Sequence, residues 1–429
     1  MAGYITTACR VYNAQQFISK FATDNNVYFY IGKQLPWNND SIPDDPTDSV
    51  SVQYSTWKDI LALKKIDASN ITHAIQRIDW VSGTVYNQYD DTDSQLQIKN
   101  FYVINSTKQV FKCLNNKTTL IGGSFVAGAS TVQPVYNTSL PSTTIFTTVD
   151  GYTWKYLYTI SSNDANKFMS SNWAPIYNTD NSLYLSTGIY SIRLNSVGAG
   201  YLSVPTVTIT GDGAGATATA IVSGGQITRI DITSPGSGYT WANVTITGSS
   251  TTQASARAII CPPLGHGTNP AKELFAYYVI LNTALQYGES GVFPKFNDYR
   301  RIGLIKNPLN TSNALATGSL YNMVYRVTCT GTGILNQDDA ITWPGGSANV
   351  LNFDNSISTA ISITLGNVFG ASLINGTVIT NGTYSFTITA INDSPDLKIS
   401  TGEIIYTENL TPIVRRSDQQ EIFNIVLEF

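Results

Sequence analysis

The sequence predicts a mainly β protein with some α-helix, an α+β chain of several domains. We expect antiparallel, sandwich-like sheets to form a scaffold that carries two inserted β-rich modules. The composition favours Thr, Ser, Asn, Val, Ile, Tyr and Gly, the residues of strands and tight turns. The length of 429 residues exceeds what one ordinary core accommodates. Charged residues make up 13% and apolar residues 42%, a balance that indicates a folded chain.

The two ends of the chain contain the clearest individual elements. Ala14, Phe17, Ile18 and Phe21 recur at helical spacing, which predicts a helix with Asn13 as its N-cap. The segment NVYFYIG at 26–32 predicts a buried strand, and YSTWKDILALKKI at 54–66 predicts a second amphipathic helix. The C-terminal segment IFNIVLEF at 422–429 has apolar residues at alternating positions and predicts a closing strand.

Two glycine-rich segments repeat each other. The motif GAGY at 198–201 aligns with GSGY at 236–239, and TITG at 208–211 aligns with TITG at 245–248. Each copy predicts a turn, a strand, a small-residue turn and a second strand, so we expect two hairpins that share one small core. A further β-rich block, from about 325 to 391, has turns at Gly and Asn about every 8–12 residues and predicts a small antiparallel sandwich or roll.

These changes in composition divide the chain into five predicted segments. They are an N-terminal α+β scaffold at 1–195, an inserted duplicated β-hairpin module at 196–265, a scaffold continuation at 266–318, an inserted β-rich module at 319–398, and one or more C-terminal scaffold strands at 399–429.

The loop GDGAGA at 211–216 raises the question of phosphate binding. A phosphate loop needs a helix after it, whose N-terminus and backbone N–H groups meet the phosphates. Here an alternating, β-branched segment follows, and the second copy of the repeat replaces the loop by GSSTTQA at 248–254. We therefore interpret these glycines as turn residues and predict no nucleotide site.

No catalytic or cofactor-binding constellation stands out in the sequence. His73 and His266 have no nucleophile at motif spacing. The acidic clusters Asp44, Asp45, Asp48 and Asp90, Asp91, Asp93 lack the glycine and late glutamate of a calcium loop, so we interpret them as turn and N-cap residues. The sequence predicts no enzyme activity, no cofactor and no metal.

Charge and hydropathy limit the classes of partner. The formal net charge is −4 and there is no run of Lys or Arg, so nucleic acid is not an expected partner. No apolar run reaches the roughly 18–20 residues of a membrane span. The 25 tyrosines and 7 tryptophans on a low-charge chain are typical of large permanent protein interfaces.

Several motifs, in the same order along the chain, resemble the baseplate wedge subunit encoded by gene eight of T-even-type contractile-tailed bacteriophages. The motifs are FYIGKQLPWNND at 29–40, PTDSV at 46–50, QRIDW at 76–80, DGYTWKYLYTI at 150–160, IGLIKNPL at 302–309 and GEIIYTENLTPIVRRSDQQEIFNIVLEF at 402–429. The resemblance covers roughly residues 1–195, 270–310 and 400–429. The repeat and the block near 320–395 have no counterpart in the shorter T-even member and resemble insertions at scaffold loops.

The resemblance implies a structural protein of the virion, located in the tail baseplate and assembled in the host cytoplasm. It implies binding to other baseplate wedge proteins, a homodimer within each wedge, and no catalytic residues. Positions that match the family motifs are interpreted as scaffold determinants: Pro36, Trp37, Pro46, Thr47, Asp48, Trp80, Asp150, Gly151, Trp154, Asn307, Pro308, Glu408, Asn409 and Pro412.

Two other functions remain open at this stage. One is a receptor-binding or tail-fibre protein that recognises host-surface glycans through Trp241 or Trp343. The other is a polysaccharide-degrading tail enzyme, which would need two facing carboxylates that the sequence does not single out.

Overall fold

The computed structural model describes residues 4–23, 26–121, 124–137, 144–176, 185–286, 289, 299–413 and 420–429. The chain divides into two compact units, each built from separate stretches of sequence. Unit 1 comprises 1–16, 72–280 and 426–429, and unit 2 comprises 17–71 and 281–425. The division into five segments stays a prediction.

Strands dominate the described residues and confirm the mainly β, α+β class. The helices are α1 (Thr7–Thr23), α2 (Val50–Asp59), α3 (Ser162–Phe168) and α4 (Pro270–Glu273), with two 3₁₀ turns at Ala68–Asn70 and Leu96–Ile98. The strands are β1 (Val27–Gly32), β2 (Ile60–Lys65), β3 (Ile71–Gln76), β4 (Tyr102–Ile104), β5 (Gln109–Asn115), β6 (Thr119–Ile121), β7 (Ser124–Val126), β8 (Ile145–Thr147), β9 (Thr153–Thr159), β10 (Trp173–Ile176), β11 (Ser191–Ser196), β12 (Thr206–Gly211), β13 (Ala214–Ser223), β14 (Gln226–Ser237), β15 (Ala242–Thr247), β16 (Ser255–Ile259), β17 (Tyr278–Gln286), β18 (Arg301–Lys306), β19 (Leu320–Asn322), β20 (Tyr325–Gly331), β21 (Ala340–Trp343), β22 (Gly346–Asp354), β23 (Ile361–Gly370), β24 (Val378–Thr380), β25 (Ser385–Asp393), β26 (Glu403–Asn409) and β27 (Gln420–Glu428).

In unit 2, a five-stranded antiparallel sheet has the order β19-β2-β1-β18-β26. Its central strand β1 is buried along its whole length, as the sequence predicts. The predicted second helix is wrong in its C-terminal half, because α2 ends at Asp59 and the chain continues directly into β2. Ile60, Leu61 and Leu63 are buried beside β1. The spacing of the apolar residues in this segment also suits a helix, but burial in the sheet makes it a strand.

The second β-rich block of unit 2 closes into a six-stranded antiparallel barrel with the order β20-β23-β22-β21-β24-β25. β20 pairs with both β23 and β25, which removes the open edges that a sandwich or roll would leave. Inward residues such as Val327, Ile363 and Phe386 alternate with outward ones and fill the barrel.

In unit 1, a four-stranded sheet with the order β4-β5-β9-β8 lies between two clusters of buried side chains. Phe111, Trp154 and Tyr156 belong to one cluster, and Val110 and Tyr158 belong to the other. β10 and β3 pair antiparallel from Trp173↔Gln76 to Ile176↔His73. The predicted C-terminal strand is present as β27, and the predicted N-terminal helix begins at Thr7, ahead of the expected cap Asn13.

The glycine-rich repeat of unit 1 extends one strand further toward the N-terminus than its sequence motifs show. The first copy contains β11, β12 and β13, and the second copy contains β14, β15 and β16. In sequence, β11 corresponds to β14, β12 to β15 and β13 to β16. Almost all ladders join strands of different copies: β11 pairs with β16, β14 with β13, and β12 with β15. The hairpin predicted within each copy is thus replaced by pairing between the copies, apart from β15 and β16, which pair at two positions. The shared core that the sequence predicts is present.

Side-chain contacts repeat the same two-fold relation. The hydroxyl of Tyr201 accepts a hydrogen bond from the backbone N–H of Ala254 at 2.8 Å, and the hydroxyl of Tyr239 accepts one from Ala216 at 3.2 Å. Both tyrosines are buried in the single core that the two copies share. A duplicated sequence therefore folds as two half-modules, each of which completes the other.

The glycines of the GDGAGA loop serve the backbone, as the sequence predicts. A Cβ on Gly213 would lie 2.5 Å from the ring of Tyr239, and Gly215 has a φ of +82°. Strand β13 begins within this segment, at Ala214. The Asp212 carboxylate accepts hydrogen bonds from the backbone N–H groups of Thr240 (2.9 Å) and Trp241 (3.2 Å).

Candidate functional site

Four motif positions lie close together in unit 1. The indole Nε1 of Trp80 donates to the hydroxyl of Ser130 at 3.0 Å, and that hydroxyl donates to the carboxylate of Asp150 at 3.2 Å. Gly151 follows with a φ of +90°, which allows the chain to turn into β9. Trp154 on β9 is fully buried in the same core cluster. These positions therefore form one internal assembly that fixes the turn before β9.

Asp150 also fixes the loop that contains Thr131 and Val132. Its Oδ2 accepts from the backbone N–H groups of Thr131 (2.7 Å) and Val132 (2.9 Å), and its Oδ1 accepts from the hydroxyl of Thr148 at 2.5 Å. Burial by itself would raise the pKa of Asp150, but the hydrogen bonds, that of Thr148 first, outweigh burial and lower the pKa. The carboxylate thus acts as a fixed acceptor inside the protein.

Two motif positions of unit 2 meet around Arg301. The Trp37 indole N–H donates to the carbonyl oxygen of Leu410 at 3.0 Å, and the Arg301 guanidinium lies 5.4 Å from the Trp37 ring centroid. The Asn409 side chain accepts from Nε of Arg301 at 2.9 Å and donates to the carbonyl oxygen of Asp44 at 2.6 Å. The structure thereby joins residues that the sequence separates by more than 300 positions.

The remaining motif positions have local roles in unit 2. Asp48 accepts from the Gln53 side chain at 2.6 Å and the Thr47 hydroxyl lies 3.4 Å from that of Ser49, the residue that caps α2. Asn307 has a φ of +53° at the end of β18, and the Glu408 carboxylate accepts from the Tyr406 hydroxyl at 2.7 Å. Pro36, Pro46, Pro308 and Pro412 lie in connecting segments next to these elements.

The second acidic cluster is a turn, as predicted, but it is also an ionic junction that the sequence does not reveal. The Asp90 carboxylate accepts from the backbone N–H of Thr92 at 3.0 Å and pairs with Arg193 at 2.7 Å and with Arg257. Burial of Asp90 would raise its pKa, but the hydrogen bonds of Thr92 and the two guanidinium groups lower it to about 2. Arg193 lies on β11 and Arg257 lies on β16, so these two ion pairs hold the repeat against the loop that contains Asp90.

A charged cluster lies fully inside unit 1, where sequence patterns do not predict it. The Nζ of Lys112 lies 3.0 Å from a carboxylate oxygen of Glu273 and 3.0 Å from Nδ1 of His266. The other Glu273 oxygen accepts from the backbone N–H of Gly267 at 2.5 Å. The Lys112 and Glu273 side chains are 0% and 4% exposed, and the ammonium also lies 3.9 Å from the ring centroid of Tyr89. The segment around His266 is therefore anchored in the core of unit 1.

The electrostatics of this cluster keep Glu273 ionised and His266 neutral. Burial would raise the pKa of Glu273, but Lys112 and His266 outweigh burial and lower it to about 2. Burial and the neighbouring Lys112 lower the pKa of His266 to about 4. Burial lowers the pKa of Lys155 to about 7; Glu273 opposes this shift and Lys112 adds to it. His73 is also buried, and its Nδ1 lies 3.0 Å from the carbonyl oxygen of Ala276. Both histidines of the chain are thus bound to internal groups.

A cleft with a volume of about 1190 Å³ opens on unit 1. Its walls come from the segment at 87–99 before β4, from the loop after β5, from β8 and the turn between β8 and β9, and from β11 and β14. Four basic and four acidic side chains line it: Lys99, Lys117, Arg193, Arg229, Asp90, Asp93, Asp150 and Asp231. Three of the basic groups pair with lining acids, Lys99 with Asp93, Arg193 with Asp90 and Arg229 with Asp231. The cleft is therefore polar but has no net charge.

The two tryptophans considered for glycan binding differ in exposure. Trp343 belongs to the core of the barrel, and its Nε1 donates to the carbonyl oxygen of Ala371 at 2.9 Å. Trp241 directly precedes β15 and is 52% exposed. Of these two tryptophans, Trp241 is therefore the one that a ligand can reach.

Comparison with models of known protein families gives no match, and a search of curated proteins gives none either. Among the described residues, no group of three or more His, Cys, Asp or Glu side chains is arranged to hold a metal ion. No helix in the described part of the chain is both long and apolar enough to cross a membrane.

Proposed function

We propose that the chain is a structural virion protein, a baseplate wedge subunit of a contractile phage tail. It works by binding neighbouring wedge proteins, as a homodimer within each wedge, and by transmitting the rearrangement of the baseplate. The observation that carries the proposal is the ordered set of motifs that resemble this family along the whole chain. Their most buried members, such as Trp154 and Trp37, serve internal packing rather than an open site.

The state of the ionisable side chains supports a structural role. His73, His266, Lys112 and Glu273 are buried and bound to other groups of the protein. A catalytic acid or base must reach its substrate within hydrogen-bond distance, and these groups cannot do so in the folded protein. The charges inside unit 1 thus stabilise one arrangement of loops and strands.

Assembly with neighbouring wedge proteins tests this proposal. The chain is co-expressed with the other baseplate proteins of its phage, and the masses of the complexes are measured by mass photometry. We expect a homodimer that enters a larger complex of defined stoichiometry. A chain that stays monomeric and binds none of these proteins would contradict the proposal, as would a reconstruction of the intact tail without this chain in the baseplate.

Exposed Trp241 favours a second candidate function, recognition of host-surface glycans by a receptor-binding protein. An aromatic face in solvent is the usual platform on which a sugar ring packs. Binding of the purified protein to host cells, lost in Trp241→Ala and retained in Trp343→Phe, would support this candidate. An obligate trimer in mass photometry would point the same way.

A further inference from the structure

β8 is an edge strand whose outer backbone groups have no partner among the described residues. It pairs only with β9, in the register Ile145↔Lys155, Phe146↔Trp154 and Thr147↔Thr153. The flanking hydrogen bonds run from the N–H of Tyr156 to the oxygen of Thr144 at 2.8 Å and from the N–H of Thr148 to the oxygen of Tyr152 at 2.9 Å. Hydrogen-bonded pairs alternate in an antiparallel ladder, so Phe146 bonds to β9. The N–H and C=O groups of Ile145 and Thr147 therefore point to the open edge.

The same two residues line the cleft of unit 1. Ile145, Thr147 and Val149 belong to its wall, whereas the ring of Phe146 packs against the core residue Phe111. Thr147 and Val149 are exposed. An open edge of this kind is a template for one more strand, because its N–H and C=O groups match those of an extended chain.

The charge of the cleft selects the kind of segment that fits. Its four basic and four acidic lining groups balance, and three of the bases are already paired with lining acids. A strongly charged segment would have to break these pairs, whereas an uncharged one leaves them intact. Phe125 and Val149 line the cleft as exposed apolar side chains. The cleft therefore suits an extended segment with small apolar and uncharged polar side chains.

We propose that this cleft binds an extended polypeptide segment of low net charge, which adds as a strand to the open edge of β8. The assignment of this segment to a neighbouring protein of the tail rests on the proposed function. The preference of the β8 edge for an extended strand is independent of that function. Main-chain hydrogen bonds to Ile145 and Thr147 would supply affinity, and the cleft walls would select the side chains.

Substitution of Thr147 separates the backbone from the side chain. Thr147→Pro removes the outward N–H and leaves the bonds to β9 in place, and proline is tolerated where a strand N–H faces solvent. Thr147→Ala is the matched control, because it removes the side chain and keeps the N–H. Both variants are made in the full chain, and thermal unfolding shows whether each keeps its fold.

The probe is a displayed library of random 12-residue peptides, selected on the immobilised wild-type protein. We expect enriched peptides of low net charge, an affinity loss of at least tenfold in Thr147→Pro, and a change within about twofold in Thr147→Ala. Hydrogen exchange in the wild type gives an independent measurement, since a bound peptide should slow exchange at Ile145 and Thr147 even where the proline variant fails to fold.

Three results would overturn the inference: no enriched peptide, equal affinity for wild type and a folded Thr147→Pro, or unchanged exchange at β8. Binding of uncharged oligosaccharides from a glycan array in place of peptides, unaffected by Thr147→Pro, would assign the cleft to sugars and overturn it as well. Normal assembly of Thr147→Pro with the wedge proteins would refute the role of this edge in assembly and leave the proposed function standing.

Discussion

Replacing Glu273 by Gln should destabilise unit 1 more than most single substitutions. The change keeps the size of the side chain but removes the carboxylate that faces Lys112 at 3.0 Å and accepts from Gly267 at 2.5 Å. Lys112 is fully buried, so its ammonium would remain in the core without the opposite charge. Lys155, on the neighbouring strand, would add like-charge repulsion.

Two independent estimates give the magnitude. Removing one partner of a buried ion pair costs about 3–5 kcal/mol, because the other charge stays desolvated. The pKa of Glu273 gives a similar value: a fall from 4.5 in the unfolded chain to about 2 in the folded one corresponds to about 3 kcal/mol at neutral pH. For a unit of 150–250 residues, a loss of about 3–5 kcal/mol lowers the melting temperature by roughly 6–20 °C.

Differential scanning calorimetry of the wild type, Glu273→Gln, Lys112→Met and the double variant measures this coupling. We expect each single variant to be destabilised and the double variant to recover part of the loss, since it removes both partners of the Lys112–Glu273 pair. A lowered carboxyl pKa stabilises above pH 4.5, and this contribution disappears as the pH falls toward 2. The wild type should therefore lose stability across that window, and Glu273→Gln should lose less. A Glu273→Gln protein within about 1 kcal/mol of the wild type would refute the reasoning.

Three further substitutions test other parts of the structure. Gly236→Ala should lower the free energy of unfolding by about 3 kcal/mol or more in chemical denaturation, because φ is +62° and the new Cβ would lie 2.4 Å from backbone atoms. The control Gly224→Ala, with φ of +57° and open space around it, should lower it by only about 1–2 kcal/mol. Equal losses in the two variants would contradict the close approach at Gly236. Asp150→Ala should cost about 2–4 kcal/mol, because it leaves the buried hydroxyl of Ser130 and the partly buried N–H groups of Thr131 and Val132 without their acceptor. Asp212→Ala, whose partners are exposed to water, should cost less, and the reverse order would be inconsistent with this account. The pKa of Lys155 is about 7 in the folded protein against 10.5 in the unfolded chain, so the unfolded chain binds more protons between these two pH values. The stability of the wild type should therefore rise with pH in this range, and Lys155→Met should flatten the rise. An unchanged slope in this variant would argue against the shift.

Sequence patterns predict the elements of this protein better than their pairing. The buried strand β1, the C-terminal strand β27 and the turn role of the GDGAGA glycines are all present as predicted. Each depends on local chemistry, such as alternation of apolar residues or the conformational freedom of glycine. The segment at 54–66 shows the limit of such patterns: its apolar spacing fits a helix, yet β1 offers a partner for Ile60–Lys65 and the sheet prevails.

The candidate sites depend even more on tertiary structure. Lys112 lies 154 positions from His266 and 161 positions from Glu273, and no spacing motif connects it to them. The edge of β8 is equally invisible to sequence patterns, because it depends on whether a strand lies beyond β8 in the sheet, and none of the described strands does. One signal was available: Glu273 and Lys112 fall in mostly apolar segments, where a buried charge needs a partner.

The sequence by itself determined the β-rich class, the duplication and the places where the chain turns, because these follow from side-chain shape and periodicity within a few residues. Tertiary structure alone decided that the two copies of the repeat exchange strands, that the second block closes as a barrel, and that a lysine, a glutamate and a histidine share the interior of unit 1. The physical reason is that strand pairing and charge burial are settled by residues distant in sequence, through the backbone hydrogen bonds and desolvation energies that only the assembled fold defines.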